Sequence, residues 1–260
     1  WPTALILTRS GERIIILGRY EVEAARRTGA YDPVIGYDQS IRDELLAVLD
    51  RLHREAKGDE LRSGWKLLPY LVQKLLGRKP SFTDQYRRMA NLSIPVSAEQ
   101  GVFAYLVARS IGACRIVEFG TSFGVSTIYF ASALRDNGGG VVIGSEFIPS
   151  KAERARANIE EAGLTNFVEI RVGNAMETLA DPGGDIDLLL IDGSKDLYLP
   201  ILKMLATHVR QGGVVLADNV LSPFIKKTLA GYVAYMQDNR NGFVSVTVPF
   251  QDGFEYSVKL

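Results

Sequence analysis

One cysteine, Cys114, and two histidines, His53 and His208, occur in the 260 residues. A single thiol excludes a disulfide within the chain and predicts a cytoplasmic setting. Its place just before "RIVEF" predicts a small, buried side chain rather than a nucleophile. Both histidines fall in stretches that read as helical and are expected to be structural or exposed. The chain also lacks charge of one sign: thirty Lys and Arg balance thirty Asp and Glu. Net charge therefore gives no attraction to nucleic acid or to a membrane surface. No apolar run approaches the roughly 18 residues of a membrane span, and "TALIL" near the start is too short for a signal-peptide core. Repeats, low-complexity segments and a G-x-G-x-x-G turn are absent as well.

The rest is ordinary for a globular domain, with 47% hydrophobic and 23% charged residues. Residues 4–8 and 13–17 flank "RSGE" and predict a β-hairpin. "EVEAARR" predicts a short helix. From Ser40 the apolar spacing turns helical, with Ser40 as N-cap and Asp43 three positions on. A second helical stretch, "WKLLPYLVQKLL", carries Pro69, which should start or kink it. "SAEQGVFAYLVARSIG" predicts a helix capped by Ser97.

After that, strand and helix alternate five times. The strands are "RIVEF", "GVVIGSE", "FVEIRVG", "IDLLLID" and "GGVVLADN". Each is followed by a helical stretch: "GVSTIYFASALRD", "PSKAERARANIEEAG", "NAMETLA", "YLPILKMLATHV" and "FIKKTLAGYVAYMQD". Continuously apolar strands joined by helices predict a parallel sheet covered on both faces. "FVSVTVPF" and "GFEYSVKL" alternate at period two around "QDG" and predict a closing antiparallel hairpin. The predicted architecture is an α/β, Rossmann-like, mostly parallel sheet of seven strands with helices on both faces. The predicted divisions are 1–39, a hairpin-containing appendage; 40–95, a helical extension; and 96–260, the α/β domain.

Ligands of open parallel sheets bind beyond the carboxyl ends of the strands. Here those ends read "EFGTSFG", "GSEF", "VGNA", "LIDGSK" and "LADN". Gly120 and Gly124 suit a tight turn that lets backbone approach a ligand. Glu146 lies 26 positions after Gly120, where a carboxylate grips the ribose hydroxyls of an adenine nucleoside. The competing reading of Glu146 is a solvated loop acid. Asp192 ends one strand; Asp218, with Asn219 beside it, ends the next. Lys195 follows Asp192 by three positions.

"IVEFGTSFGVSTIYFASAL" resembles the first motif of class I S-adenosylmethionine-dependent methyltransferases. "IDGSKDLYLP" together with "LADNV" resembles the metal-dependent O-methyltransferases related to catechol and caffeoyl-CoA O-methyltransferases. The resemblance covers about residues 90–260. It implies that Gly120, Ser122 and Ser126 line the methionine end of the cofactor, with Glu118 supporting the turn and Val96 and Ser97 closing over it. It implies that Glu146 holds the ribose, that Phe147 packs on the adenine, and that Asn174 and Ala175 lie near the adenine edge. Asp192, Asp218 and Asn219 match the metal ligands, and Lys195 matches the catalytic lysine, with Asp192 part of the same reaction centre. The N-terminal helices of relatives form substrate lids and homodimer contacts.

The residues themselves agree. Two carboxylates and an amide oxygen form a hard set suited to Mg²⁺, or to Mn²⁺ or Ca²⁺. Two such acids on adjacent strands repel unless a cation or a proton intervenes. The competing reading makes each aspartate the N-cap of the following helix. A phenolic hydroxyl, with a pKa of about 10 by analogy with tyrosine, ionises more readily near a cation, and a lysine there can take the proton. The expected activity is methyl transfer from S-adenosylmethionine to a small, aromatic vicinal diol. Alternatives are a metal-independent methyltransferase, a nicotinamide-dependent Rossmann oxidoreductase and a non-catalytic module that keeps the fold. Two departures bear on the substrate. Ser194 stands where relatives often carry a bulky residue, and "YMQDNRNGFVSV" shows no counterpart of the acid that grips the second catechol hydroxyl.

Overall fold

A computed structural model describes residues 5–9, 12–16, 45–57 and 95–260 apart from 224 and 251, with backbone alone for the first two stretches. The chain forms two compact units, Trp1–Arg51 and Leu52–Leu260. In the first, β1 (Leu5–Arg9) and β2 (Glu12–Ile16) pair antiparallel. The predicted hairpin is therefore present, each strand within one residue of its expected limits. Residues 45–57, labelled α1, are helical. The predicted caps at Ser40 and Asp43, the helix "EVEAARR" and the helix at "WKLLPYLVQKLL" lie outside the described residues.

The second unit carries α2 (Ala98–Ser110), β3 (Arg115–Phe119), α3 (Val125–Asn137), β4 (Val141–Glu146), α4 (Pro149–Glu161) and β5 (Val168–Val172). It continues with α5 (Ala175–Thr178), β6 (Ile186–Ile191), α6 (Tyr198–Leu205), β7 (Val209–Ala217), α7 (Lys226–Gln237), β8 (Phe243–Val248) and β9 (Phe254–Lys259). The seven strands run in the order β5-β4-β3-β6-β7-β9-β8. The first five are mutually parallel, and β9 pairs antiparallel with both β7 and β8. The order reverses between β3 and β6, which opens a crevice at the carboxyl ends of those two strands.

The central strands β3 and β6 hold their places because both of their faces are covered. Ile116, Val117, Leu188, Leu189 and Ile191 are all fully buried, and each such side chain contributes about 1.5–3 kcal/mol by leaving water. Alternate residues serve opposite faces. Val117, Phe119, Leu189, Ile191, Val215 and Ala217 meet Tyr198, Ile201 and Leu202 of α6 and Leu229 and Tyr232 of α7. Among the described residues, no helix is long and apolar enough to cross a membrane.

Two expectations are corrected. Cys114 is exposed, not buried; it sits in the turn before β3, where its backbone N–H donates to Asp187 Oδ2 at 2.8 Å and the side chain is left outside. His208 is not helical. α6 ends at Leu205, and His208 lies in the turn into β7, where its carbonyl accepts from Ile186 N–H at 2.7 Å. That places it at the amino end of the strands, remote from the crevice. β7 starts at Val209, earlier than the "GGVVLADN" pattern predicts.

Candidate active site

The turn after β3 is built from residues that tolerate left-handed backbone. Gly120 has φ 103° and Gly124 has φ 84°. A Cβ on Gly120 would lie 2.7 Å from the carbonyl oxygen of Asp192, so this approach of the β3 turn to the end of β6 requires glycine. Glu118, fully buried, accepts hydrogen bonds from Ser126 Oγ and Thr127 Oγ1, both at 2.5 Å. It thereby ties the strand end to the first turn of α3. Burial pushes its carboxyl up to about 7, against the pull of those hydroxyls.

Glu146 ends β4 and faces this turn. Its two oxygens accept from Ser122 N–H at 2.8 Å and Ile148 N–H at 2.9 Å. Burial raises its pKa, and the Ile148 amide and Lys151 oppose that rise. Phe147 beside it leaves 41% of its surface exposed, an uncommon condition for so large an apolar ring. Asn174 caps α5 through its side chain, accepting from Met176 N–H at 3.1 Å, and Ala175 behind it is buried. Gly173 N–H donates to the Glu146 carbonyl at 2.9 Å, which brings the ends of β4 and β5 together. Pro95, Val96, Gly120, Ser122, Ser126 and Asp192 line one cleft. Every residue expected to touch the cofactor thus lies at the strand ends around the crevice or on the segment just before α2.

The second cluster forms between β6 and β7. Ile191 and Ala217 are register partners, so Asp192 and Asp218, the next residue on each strand, stand side by side. Asp218 N–H donates to the Ile191 carbonyl at 3.2 Å. Lys195 reaches back from a short 3-10 turn, Lys195–Leu197. Its Nζ donates to Asp192 Oδ1 at 3.1 Å, to Asn219 Oδ1 at 2.6 Å and to the Tyr198 hydroxyl at 2.7 Å. The hydroxyl of Tyr198, wholly buried, donates in turn to the Asp218 carbonyl at 3.2 Å.

Neither aspartate caps a helix. The cap of the 3-10 turn is Ser194, without a side-chain bond, α6 starts after Leu197, and α7 starts after Ile225. Both carboxyls are pushed up by burial. Asp218 reaches about 7, with the Asp192 charge as the next cause, while Asp192 is held back by Lys195. Among the described residues no three His, Cys, Asp or Glu converge; the cluster is two carboxylates and one amide oxygen. One buried and one half-buried acid short of positive charge, with Asn219 Oδ1 turned towards the same ammonium, fit a divalent cation held by oxygen. Asn219 and Ser122 are the two non-glycine residues with left-handed backbone among those described, at φ 66° and 49°. Both belong to the crevice, where such strain tends to collect.

Two contributors were not foreseen as site residues. Tyr198 stands three positions after Lys195 at a helix start, a spacing that places both on one side. Gln100 stands three after Ser97, and that capping pattern was visible in the sequence. Its side chain reaches Asp218, which no local pattern could show.

The sheet order, the closing hairpin and a crevice lined by a glycine turn and a buried carboxylate at the end of β4 define a class I S-adenosylmethionine-dependent methyltransferase. A family model described as a methyltransferase domain matches residues 117–220. The catechol O-methyltransferase of Mycobacterium tuberculosis (strain ATCC 25618 / H37Rv) is 40% identical over 156 residues, 58% of this chain and 70% of that protein. Caffeoyl-CoA O-methyltransferase 1 of Zea mays is 30% identical over 181 residues, covering 65% and 69% of the two chains. The solved structure of the O-methyltransferase from Bacillus cereus in complex with SAH superposes with a TM-score of 0.58 at 27% identity, covering 80% of this chain and all of that one. The chain belongs to the catechol and caffeoyl-CoA O-methyltransferase family and is an S-adenosylmethionine-dependent O-methyltransferase, which sets aside the nicotinamide reading.

Proposed function

We propose that this enzyme methylates a hydroxyl of a small aromatic vicinal diol with the help of Mg²⁺ or a similar divalent cation, and that Lys195 is the base. The observation that carries this is the convergence of Asp192, Asp218, Asn219 and Lys195 at the ends of two neighbouring strands. When bound, S-adenosylmethionine supplies an electrophilic methyl group and the cation favours the ionised substrate hydroxyl.

The chain's own residues do the rest. Asp192, Asp218 and Asn219 supply the oxygen ligands. Glu146, with backbone amides fixing both its oxygens, offers its remaining acceptor positions to the ribose hydroxyls. Gly120, Ser122, Ser126 and Val96 wall the methionine end, with Glu118 beneath them. The exposed Phe147 ring and the Asn174–Ala175 turn bracket the adenine. Lys195 Nζ, as the neutral amine, would accept the proton of the substrate hydroxyl and become the ammonium, with the Tyr198 hydroxyl 2.7 Å from that nitrogen. The substrate oxygen then forms its bond to the methyl carbon as the carbon–sulfur bond breaks. Water exclusion and fixed geometry supply most of the acceleration. Ser194 is buried and small, which supports an aromatic diol other than catechol itself. Balanced charge supports a small-molecule substrate without a nucleic-acid or membrane partner, and the family resemblance supports a cytoplasmic homodimer.

A second reading has its own support. The Lys195 ammonium already bridges Asp192 and Asn219, and it could serve in place of a metal in a metal-independent transfer. Turnover of a panel of vicinal diols, measured with and without EDTA, separates the two. Activity abolished by EDTA while calorimetric binding of S-adenosylhomocysteine is retained in EDTA, and abolished also by Asp192→Ala, supports the metal reading; full activity in EDTA overturns it.

A further inference from the structure

We propose that Gln100 is a positioning residue for the cation site, tying the cofactor-side segment at Val96 and Ser97 to the carboxylate of Asp218. The inference rests on the metal-assisted reading given above. Gln100 is the third residue of α2 and is 2% exposed. Its backbone N–H donates to Ser97 Oγ at 3.1 Å, and its side-chain Oε1 accepts from Ser97 N–H at 2.9 Å, so the two residues form a capping box. The other half of the amide, Nε2, donates to Asp218 Oδ1 at 2.7 Å, a buried bond across 118 positions of sequence.

The orientation of this amide is not free. Turning it over would set its NH2 against the Ser97 N–H and an oxygen against a carboxylate, losing both bonds. Capping needs only the oxygen, and a glutamate would cap α2 equally well. A glutamate here would also put a second negative charge against Asp218. An amide is the group that caps the helix and at the same time offers Asp218 a neutral donor. Asp218 Oδ1 also accepts from Asn219 N–H at 2.7 Å, and Oδ2 from Asn219 Nδ2 at 3.2 Å. Gln100 is the one donor in this set that comes from outside the β7 end, and it sits next to Val96, which lines the cofactor cleft. Partners of this kind set the direction in which a ligand carboxylate faces.

The test compares Gln100→Met and Gln100→Asn with Ser97→Ala. Methionine fills the space without polar atoms. Asparagine keeps an amide but is one methylene too short to span Ser97 and Asp218. Ser97→Ala loosens the cap but leaves the Gln100–Asp218 bond. Mn²⁺ binding is read by electron paramagnetic resonance without substrate, with circular dichroism confirming the fold. The expected result is a Kd for Mn²⁺ raised about ten-fold or more in both Gln100 variants and near the parent value in Ser97→Ala. Parental Mn²⁺ affinity in the Gln100 variants, or equal weakening in Ser97→Ala, overturns the role of Gln100 while leaving the metal reading intact. A parent protein that binds no Mn²⁺ at millimolar concentration overturns the metal reading and this inference with it.

Discussion

The ammonium of Lys195 lies 2.6 Å from Asn219 Oδ1 and 3.1 Å from Asp192 Oδ1, so one side chain joins the ends of β6 and β7. A lysine on a solvated helix start has no reason to make three convergent, half-buried contacts. Lys195→Met should lower kcat by about 10²–10⁴, with the Kd for S-adenosylhomocysteine within about two-fold of the parent. Lys195→Arg should not restore the rate, because a guanidinium keeps its proton. Steady-state kinetics alongside calorimetry check both; a Lys195→Met enzyme with parental kcat would remove Lys195 from the chemistry.

Glu118 sets a pH dependence of stability. Its carboxyl is raised from 4.5 to about 7 in the folded protein, chiefly by burial. The folded state therefore holds this proton more tightly than the unfolded state does. The resulting stabilisation is complete below about 4.5 and is lost as pH rises through about 7, a change on the order of 3 kcal/mol. Asp218 adds a slope of the same sign when no cation is bound, so the quantity to compare is the difference between parent and Glu118→Gln. Denaturant titrations in EDTA between about pH 5 and 8 should show a shallower decline in the variant. Parallel curves would mean that Glu118 stays ionised in the folded protein throughout.

Gly120→Ala should destabilise by about 1–3 kcal/mol and weaken cofactor binding. The new Cβ would meet the Asp192 carbonyl at 2.7 Å while the backbone keeps φ 103°. Gly138→Ala is the control. It has a similar φ of 99° and nothing within 4 Å, so it carries the backbone strain alone. Thermal unfolding with and without S-adenosylhomocysteine distinguishes them. Equal losses in the two variants would show that the contact with Asp192 contributes nothing.

Much of this was readable before any coordinates. Strands such as "RIVEF" and "IDLLLID" carry apolar residues on both faces, as a doubly covered parallel sheet requires. Asp192 and Asp218 are the residues that break two of those runs, so their place at the strand ends followed. Their side-by-side placement was expected on the assumption that the two strands are neighbours, and the register of β6 with β7 bears that out. Gln100 was hidden because its partner is 118 positions away. Cys114 misled because it adjoins an apolar strand, while the turn into that strand faces outward.

The loop after Asn219 is held from the far end of the chain. Val220 N–H donates to the Gly253 carbonyl at 3.2 Å, and Leu221 N–H to the Asp252 carbonyl at 2.7 Å. β9 then runs antiparallel beside β7, with Glu255 opposite Ala217. The left-handed turn at Asn219 is thus clamped by residues translated more than thirty positions later. A nascent chain still lacking Asp252 and Gly253 has the glycine turn and Glu146 but no clamp on Asn219. The turn at Asn219 and the segment leading into β9 therefore form one hydrogen-bonded unit, so that loosening the β8–β9 connection would loosen Asn219 with it.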